Sequence, residues 1–281
     1  MTQPEQTLKQ FHDAANWKSM TLGNHVWRYA TGGSGSECLM IIHGGGGDAE
    51  LMFSYFVALA PHFKLIVPSV PTALDNMQVI TDGLRSLLDN EGIEQTHVFG
   101  SSLGGWMAQA LAAQQPERVS KCIFSHCSLP QSKIGALMRK MRLPLKLMPM
   151  RLFRWQTLRG QRKEFAEQIP DITPEESAFW MARWQHIFGE RLGKVDLMAS
   201  IELQIDFHER TDLTTAPIRN EPDRVLILYH ENDSDFGAET AAAMQAFYGD
   251  AKCLCLPLYG HVGALVRSEV MFEPMKQFLT D

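Results

Sequence analysis

One serine of this chain lies in a sequence context that exposes a side-chain oxygen for nucleophilic attack. Residues 100–104, Gly-Ser-Ser-Leu-Gly, follow a short apolar strand and precede a stretch with helical character. A serine held at a sharp strand-to-helix turn needs small residues two positions to either side, which Gly100 and Gly104 supply. The pentapeptide alone occurs in many ordinary turns, but the flanking strand and helix favour Ser102, rather than Ser101, as a candidate nucleophile.

A run of glycines provides backbone donors that could stabilise a developing negative charge. Residues 43–47, His-Gly-Gly-Gly-Gly, follow an apolar strand, and no side chains shield the glycine N–H groups. An oxyanion needs such fixed donors in a site that excludes water. A phosphate-binding loop is disfavoured, because neither a following Gly-Lys-Ser/Thr nor a G-x-G-x-x-G pattern is present. We expect the N–H groups of Gly45 and Leu103 to be the donors and His43 to be structural.

A histidine and an acidic loop near the C-terminus could complete an acyl-transfer site. His261 follows the predicted strand 253–256, and residues 230–235, His-Glu-Asn-Asp-Ser-Asp, follow another apolar strand. The chain has ten histidines and acidic loops are commonly solvated, so neither feature identifies a site alone. The order serine, acid, histidine, with each residue after a strand, matches one known arrangement of a catalytic triad. We predict Asp233 as the acid, with Asp235 as the alternative.

The elements that must position these residues alternate between strands and helices. A hairpin with its turn at Gly23-Asn24 opens the chain. Short apolar strands then alternate with helices, which indicates a parallel sheet covered on both faces. The predicted strands are 38–42, 64–67, 97–100, 121–125, 225–229 and 253–256. The predicted helices are one capped by Asp48 that carries Leu51, Phe53, Phe56, Val57 and Ala60, then 77–88, 103–113, about 238–247 and one that ends near Leu279.

A long helical stretch interrupts this alternation between residues 128 and 222. Residues 173–176, Thr-Pro-Glu-Glu, form a capping box with proline at the first helical position. We predict that residues 128–222 form a helical cap inserted into one α/β core, which consists of residues 1–127 and 223–281. The cap would cover the carboxyl edge of the sheet.

The composition is typical of a globular protein that needs no crosslinks. Of the 281 residues, 45% are hydrophobic and 21% are charged. The five cysteines show no C-x-x-C spacing, which indicates reduced thiols and neither a disulfide framework nor a metal site. The polar first ten residues lack a signal pattern, and no apolar run reaches membrane-spanning length. We therefore expect a cytoplasmic chain without cofactor or metal.

The predicted cap carries an unusual charge distribution. Residues 128–163 contain ten Lys/Arg and no Asp/Glu, interleaved with Leu, Met, Phe153 and Trp155, whereas the remainder holds 16 (26 − 10) basic and 32 acidic residues. A solvated cap face is the simplest interpretation. A basic amphipathic surface could also attract an anionic lipid surface, an acyl carrier or an acyl-CoA phosphate. Nucleic acid is not an expected partner of this acidic chain, which has no recognised binding motif.

These residues together resemble the α/β-hydrolase superfamily over essentially the whole chain. The similarity is sharpest in residues 99–108, Phe-Gly-Ser-Ser-Leu-Gly-Gly-Trp-Met-Ala, and in Pro-Glu-Arg-Val at 116–119. The His-Gly loop, the position of the helical stretch and the late Gly-His are also similar. The resemblance implies an α/β fold with an eight-stranded, mostly parallel sheet flanked by helices. It also implies a triad of Ser102, His261 and Asp233.

At single positions this sequence differs from the motifs of several branches of the superfamily, which reduces the number of branches that it resembles. Dehalogenases and epoxide hydrolases of this fold have Asp where this chain has Ser102. The proline-iminopeptidase branch usually has Pro after His-Gly-Gly, where Gly46 stands here. The layout is more loosely similar to maspardin-like members, which look like protein-binding relatives with a degenerate triad. The retained His261 argues for catalysis.

The sequence therefore predicts a serine hydrolase that cleaves a carboxylic ester or thioester of a small-molecule acyl substrate through an acyl-enzyme. One alternative is hydrolysis of a carbon–carbon bond with the same triad. Another is a non-catalytic binding protein on a hydrolase scaffold. The acyl group, the leaving group and the oligomeric state are left open.

Overall fold

One eight-stranded sheet forms the centre of the computed structural model, which describes all residues 1–281. Its strands are β1 (Asn16–Leu22), β2 (His25–Gly32), β3 (Cys38–Ile42), β4 (Lys64–Ser69), β5 (Thr96–Ser101), β6 (Val119–Ser125), β7 (Val225–His230) and β8 (Lys252–Leu256). The spatial order is β1-β2-β4-β3-β5-β6-β7-β8. The pairs β1–β2 and β2–β4 are antiparallel, and all other pairs are parallel. The predicted mostly parallel sheet of eight strands is confirmed.

Helices cover both faces of this sheet. They are α1 (Gln3–Ala14), α2 (Phe53–Leu59), α3 (Met77–Asn90), α4 (Leu103–Gln114), α5 (Ser132–Leu147), α6 (Met150–Gln168), α7 (Pro174–Trp184), α8 (Lys194–His208), α9 (Ala238–Phe247), α10 (Gly263–Val266) and α11 (Glu269–Thr280). Side chains alternate between the two faces of a strand, and all five residues of β3 are buried. Met40 and Ile42 therefore join one apolar core, whereas Leu39 and Ile41 join the other.

The stretch between β6 and β7 contains α5 to α8 and a π-helical turn at Gln185–Arg191. Its capping box forms as expected: the Thr173 side chain accepts from the Glu176 N–H at 3.2 Å, and α7 begins there. Trp180 and Trp184 of α7 are buried. The assignment of residues 128–222 as an inserted cap stays a prediction.

The N-terminal helix α1 was not predicted. It begins at a capping box in which Thr2 accepts from the Glu5 N–H and Glu5 accepts from the Thr2 N–H. Its one buried residue, Phe11, packs edge-on against Trp17 and Phe56. The polar composition of this segment hid the helix, although the capping box is visible in the sequence.

None of these helices combines the length and the apolar character that crossing a bilayer requires. All five cysteines are free thiols. Burial raises the pKa of the Cys122 thiol to about 12, so this side chain is an uncharged part of the core.

Candidate active site

A strained turn at the end of β5 exposes Ser102. Its φ of 55° and ψ of −124° lie outside the regions that non-glycine residues favour. The Ser102 N–H donates to Ser125 O of β6 at 2.9 Å, and α4 begins at the next residue. A Cβ on Gly100 would lie 2.1 Å from Gly104 O, and one on Gly104 would lie 2.3 Å from Ile42 O. Both predicted glycines are therefore sterically required at this turn.

A chain of hydrogen bonds connects the serine, the histidine and the acid that the sequence singled out. His261 Nε2 lies 3.1 Å from Ser102 Oγ, and His261 Nδ1 lies 2.9 Å from Asp233 Oδ2. The second carboxylate oxygen, Asp233 Oδ1, accepts from the N–H groups of Asp235 and Phe236 at 2.9 and 3.0 Å. Asp233, and not Asp235, is thus the acid that lies beside His261.

The environment sets the charge of this acid and this base. Burial raises the pKa of Asp233, but the hydrogen bond and charge of His261 and the Asp235 N–H outweigh it and hold the pKa below its ordinary value. Burial lowers the pKa of His261, but the hydrogen bond and charge of Asp233, with the charges of Glu164 and Asp235, outweigh it and raise the pKa. The ionised Asp233 therefore favours the tautomer with a proton on Nδ1, which leaves Nε2 free to accept one.

The two predicted oxyanion donors belong to segments that adjoin the serine. A Cβ on Gly44, the neighbour of Gly45, would be 3.9 Å from Ser102 Oγ, and Leu103 directly follows Ser102. Gly45 and Leu103 line one cavity. Neither the Gly45 N–H nor the Leu103 N–H donates to another group of the protein. Both amides are available to a bound carbonyl oxygen. Their role as an oxyanion hole stays a prediction.

His43 fixes the start of the glycine loop. Its Nδ1–H donates to Gly44 O at 2.7 Å, and its Nε2 accepts from the Val70 N–H at 3.0 Å. Burial lowers the pKa of His43, so the ring is neutral and can play both roles. The structural role expected for His43 matches these contacts.

Arg191, in the helical stretch, binds the glycine loop, a contact that the sequence did not predict. Its guanidinium donates to Gly46 O and, at 2.7 Å, to Gly47 O, and it forms an ion pair with Asp48. These partners are about 145 positions apart in sequence, so no local pattern could have revealed the contact. The loop that carries Gly45 is thus restrained from both sides.

The turn before His261 is also held in place. The Gly260 N–H donates to Asn232 Oδ1 at 2.8 Å, and Gly260 O accepts from His230 Nδ1 at 2.6 Å. Gly260 has a φ of 56°, and a Cβ there would lie 1.9 Å from the Gln168 side-chain oxygen of α6. The sequence alone predicted no role for Asn232 or His230. Their position in the polar run around Asp233 was the available signal.

An apolar cavity of about 150 Å³ adjoins the glycine loop. Its apolar walls include Leu74, Ile80, Met107, Phe153, Phe188 and Leu203. Thr72, Asp196 and Ser200 also line it, and Thr72 Oγ1 donates to Asp196 Oδ1 at 2.6 Å. Asp196 Oδ2 accepts from the Gly193 N–H at 2.8 Å. Because this carboxylate is already hydrogen-bonded, the cavity offers mainly an apolar surface to a ligand.

Curated relatives match the chain in part. A pimeloyl-[acyl-carrier protein] methyl ester esterase from Pectobacterium carotovorum is 37% identical over 101 residues, which are 34% of this chain and 38% of that protein. A 2-hydroxy-6-oxo-6-phenylhexa-2,4-dienoate hydrolase from Comamonas testosteroni is 28% identical over 116 residues, which are 37% of this chain and 40% of that protein. The chain spans between about a quarter and a half of the length of the curated relatives that it matches.

Solved structures match over nearly the whole chain. A hydrolase from Pseudomonas aeruginosa superposes with a TM-score of 0.75 at 17% identity, covering 95% of this chain and 99% of that one. At this identity the similarity establishes the shared fold. A model of the alpha/beta hydrolase family matches residues 39–273. Because this match spans well over half of the 281 residues, the chain belongs to the alpha/beta hydrolase family.

Proposed function

We propose that this chain hydrolyses a carboxylic ester or thioester through an acyl-enzyme intermediate on Ser102. The proposal rests on the hydrogen-bond chain from Ser102 Oγ through His261 to Asp233, beside two N–H groups without protein partners. This arrangement contains a nucleophile, a general base, a group that orients the base and oxyanion donors.

Each step has a group to perform it. Ser102 Oγ attacks the carbonyl carbon while its proton passes to His261 Nε2, and Asp233 stabilises the imidazolium. The oxyanion accepts from the Gly45 and Leu103 N–H groups, and the loss of one such donor typically costs about 3–4 kcal/mol of transition-state stabilisation. The alcohol or thiol leaves with the proton from Nε2. Water then releases the acid from Ser102 by the same route.

The helical stretch 128–222 acts, in this proposal, as a cap that completes the substrate site. Phe153 of α6, Phe188 of the π-helical turn and Leu203 of α8 contribute to the cavity wall. Glu164 and Gln168 of α6 lie close to His261 and Gly260. These contacts would exclude water and position the acyl group.

The cavity size leads to a prediction about acyl length. A cavity of comparable volume accommodates benzene, so about six carbons is the largest acyl group that fits without rearrangement. We expect kcat/KM for p-nitrophenyl esters to rise from acetate to a maximum at about four to six carbons and to fall for dodecanoate.

Ser200 provides the matched pair of variants for this prediction. Ser200→Leu should lower kcat/KM for the hexanoate by about tenfold or more and leave the acetate nearly unaffected, because the added side chain fills the cavity. Ser200→Ala, which adds no bulk, should preserve the preference. An unchanged chain-length profile in Ser200→Leu would show that the acyl group binds elsewhere.

The raised pKa of His261 leads to a prediction about pH. The imidazole must be neutral to accept the serine proton, so kcat/KM is low below this pKa and rises as pH increases through it. Because the pKa is raised, the midpoint should lie above the ordinary value of about 6.5. Glu164→Gln removes one charge that raises this pKa and should move the midpoint down. Stopped-flow or plate assays with a neutral ester from pH 5 to 9 measure both midpoints, and a midpoint below 6.5 would be inconsistent with this electrostatic environment.

A second candidate function is hydrolysis of a carbon–carbon bond in a 2-hydroxy-6-oxo-dienoate. The observation that favours it is the 28% identity to the Comamonas testosteroni hydrolase over 116 residues. Parallel assays with p-nitrophenyl esters, acyl thioesters and a 2-hydroxy-6-oxo-dienoate test the choice. Ester or thioester turnover should exceed dienoate turnover. The reverse order would favour the second function, and no turnover of any of them would favour a binding protein.

A further inference from the structure

The outer surface of α5 and the start of α6 is unusually apolar. Eleven large hydrophobic side chains of the chain are exposed, and six of them lie within residues 137–155. They are Leu137, Met141, Leu143, Leu147, Leu152 and Trp155. Their exposed fractions run from 38% to 73%. We call this surface, together with the lysines between these residues, the α5–α6 face. Such a concentration of exposed apolar side chains in one short segment is typical of a binding region.

Helical periodicity separates most of the α5 residues of the α5–α6 face from the side of α5 that packs on the protein, and Met141 and Lys146 lie at the margins of this face. Ile134 and Met138 are half-buried toward the protein. Arg139 forms an ion pair with Glu209, which directly follows α8, and Arg142 forms one with Glu202 of α8. At about 100° per residue, Lys133, Lys140, Leu143 and Leu147 fall within about a quarter of the helix circumference on the opposite side. All four are exposed.

The charges on this surface are of one sign and mostly unpaired. Residues 128–163 contain no Asp or Glu. Three of their ten cations form ion pairs, namely Arg139, Arg142 and Lys163. The other seven form none, namely Lys133, Lys140, Lys146, Arg151, Arg154, Arg159 and Arg162. A partner with negative charge therefore fits these side chains, and the six exposed apolar side chains favour a partner that also offers apolar surface.

From these observations we propose that the α5–α6 face docks on a phospholipid bilayer that contains anionic lipids. Leucine and tryptophan side chains enter the boundary between headgroups and acyl chains, and lysine stems extend their ammonium groups to the phosphates. A second copy of the chain is a poorer occupant, because a two-fold interface would place the unpaired lysines of two identical faces together. An acidic protein would satisfy the cations but would need an apolar surface matched in shape to these side chains, whereas a bilayer accepts them without such a match.

Docking in this way would bring the bilayer to the helices that surround the candidate active site. Helix α6 carries Leu152 and Trp155 on the α5–α6 face, Phe153 in the cavity wall, and Gln168 against Gly260. The inference goes beyond the proposed ester hydrolysis, and vesicle binding is measured without turnover. A failure of vesicle binding would therefore leave the proposed ester hydrolysis unaffected, and a failure of ester hydrolysis would leave the proposed docking unaffected.

Sedimentation with vesicles tests the docking surface. The full chain should bind vesicles of phosphatidylcholine with 30% phosphatidylglycerol, and binding should weaken strongly in 1 M salt, where the Debye length falls to about 3 Å. Lys133→Gln, Lys140→Gln and Lys146→Gln combined should lower the partition coefficient by about a hundredfold, since each lysine near an anionic surface contributes about fivefold. Leu143→Gln with Leu147→Gln should lower it by about tenfold or more.

Matched controls separate this surface from general charge and hydrophobicity. Lys9→Gln, Lys64→Gln and Lys252→Gln remove the same charge elsewhere, and Val26→Gln with Val79→Gln alters exposed valines outside the face. All of them should bind like the unmodified chain, and every variant should hydrolyse a short soluble ester normally if the chain is an esterase. If the unmodified chain fails to bind these vesicles, the proposal is overturned. It is also overturned by a dimer, or a complex with an acidic acyl carrier protein, that Leu143→Gln with Leu147→Gln disrupts while vesicle binding is unchanged.

Discussion

Replacement of Ser102 by alanine should lower kcat/KM for ester hydrolysis by about 10⁵-fold or more. The hydroxyl that His261 Nε2 accepts from is removed, and no other hydroxyl takes part in the hydrogen-bond chain with His261 and Asp233. The oxyanion donors and the cavity would persist and support only weak residual catalysis. The melting temperature should change little, because Ser102 is half-buried and its hydroxyl hydrogen-bonds only to His261.

Ser101→Ala is the matched control for this variant. Ser101 is the last residue of β5 and lies one position away, but its side chain makes no hydrogen bond to His261 or to any other residue. Activity should stay close to that of the unmodified chain. Substantial turnover in Ser102→Ala, or an equal loss in both variants, would contradict the assignment of Ser102 as the nucleophile.

Asp233→Asn should lower kcat/KM by about 10⁴-fold. The N–H groups of Asp235 and Phe236 hold one side-chain oxygen, so the asparagine carbonyl will occupy that place. Its NH₂ group then points at His261 Nδ1 and, as a donor, forces the imidazole proton onto Nε2. Nε2 can no longer accept the proton of Ser102. Steady-state kinetics with a neutral ester measures the loss.

Asp235→Asn provides the control, because the exposed Asp235 contributes its backbone N–H and its charge but no hydrogen bond to His261. It should lose little activity. A loss as large as that of Asp233→Asn would mean that Asp233 does not orient the imidazole, and the triad assignment would then be wrong.

The elements around the candidate site were predictable because their signals are local. Each short apolar strand ends at a polar or glycine-rich segment, and parallel strands bring their carboxyl ends to one edge of the sheet. Ser102 follows β5, Asp233 follows β7 and His261 follows β8, so their convergence follows from topology. The choice of Asp233 over Asp235 could not be made with certainty from the sequence, since a shift of two residues in a loop leaves no periodic signal.

The contacts that restrain the site could not be predicted in the same way. Arg191 reaches the glycine loop across about 145 residues, and Asn232 reaches Gly260 across 28. Such contacts depend on how the helical stretch packs on the sheet. The same holds for charge: the sequence shows ten cations in residues 128–163, but only packing shows that Glu202 and Glu209 neutralise two of them.

The position and stoichiometry of a fluorophosphonate label test the central proposal most directly. This reagent phosphonylates a serine only when a neighbouring base activates the hydroxyl and the oxyanion is stabilised. Intact mass should show one phosphonyl group per chain, peptide mapping should locate it on Ser102, and ester hydrolysis should fall in proportion to labelling. Full labelling of another residue, or ester turnover that persists in the fully labelled protein, would contradict a mechanism through Ser102.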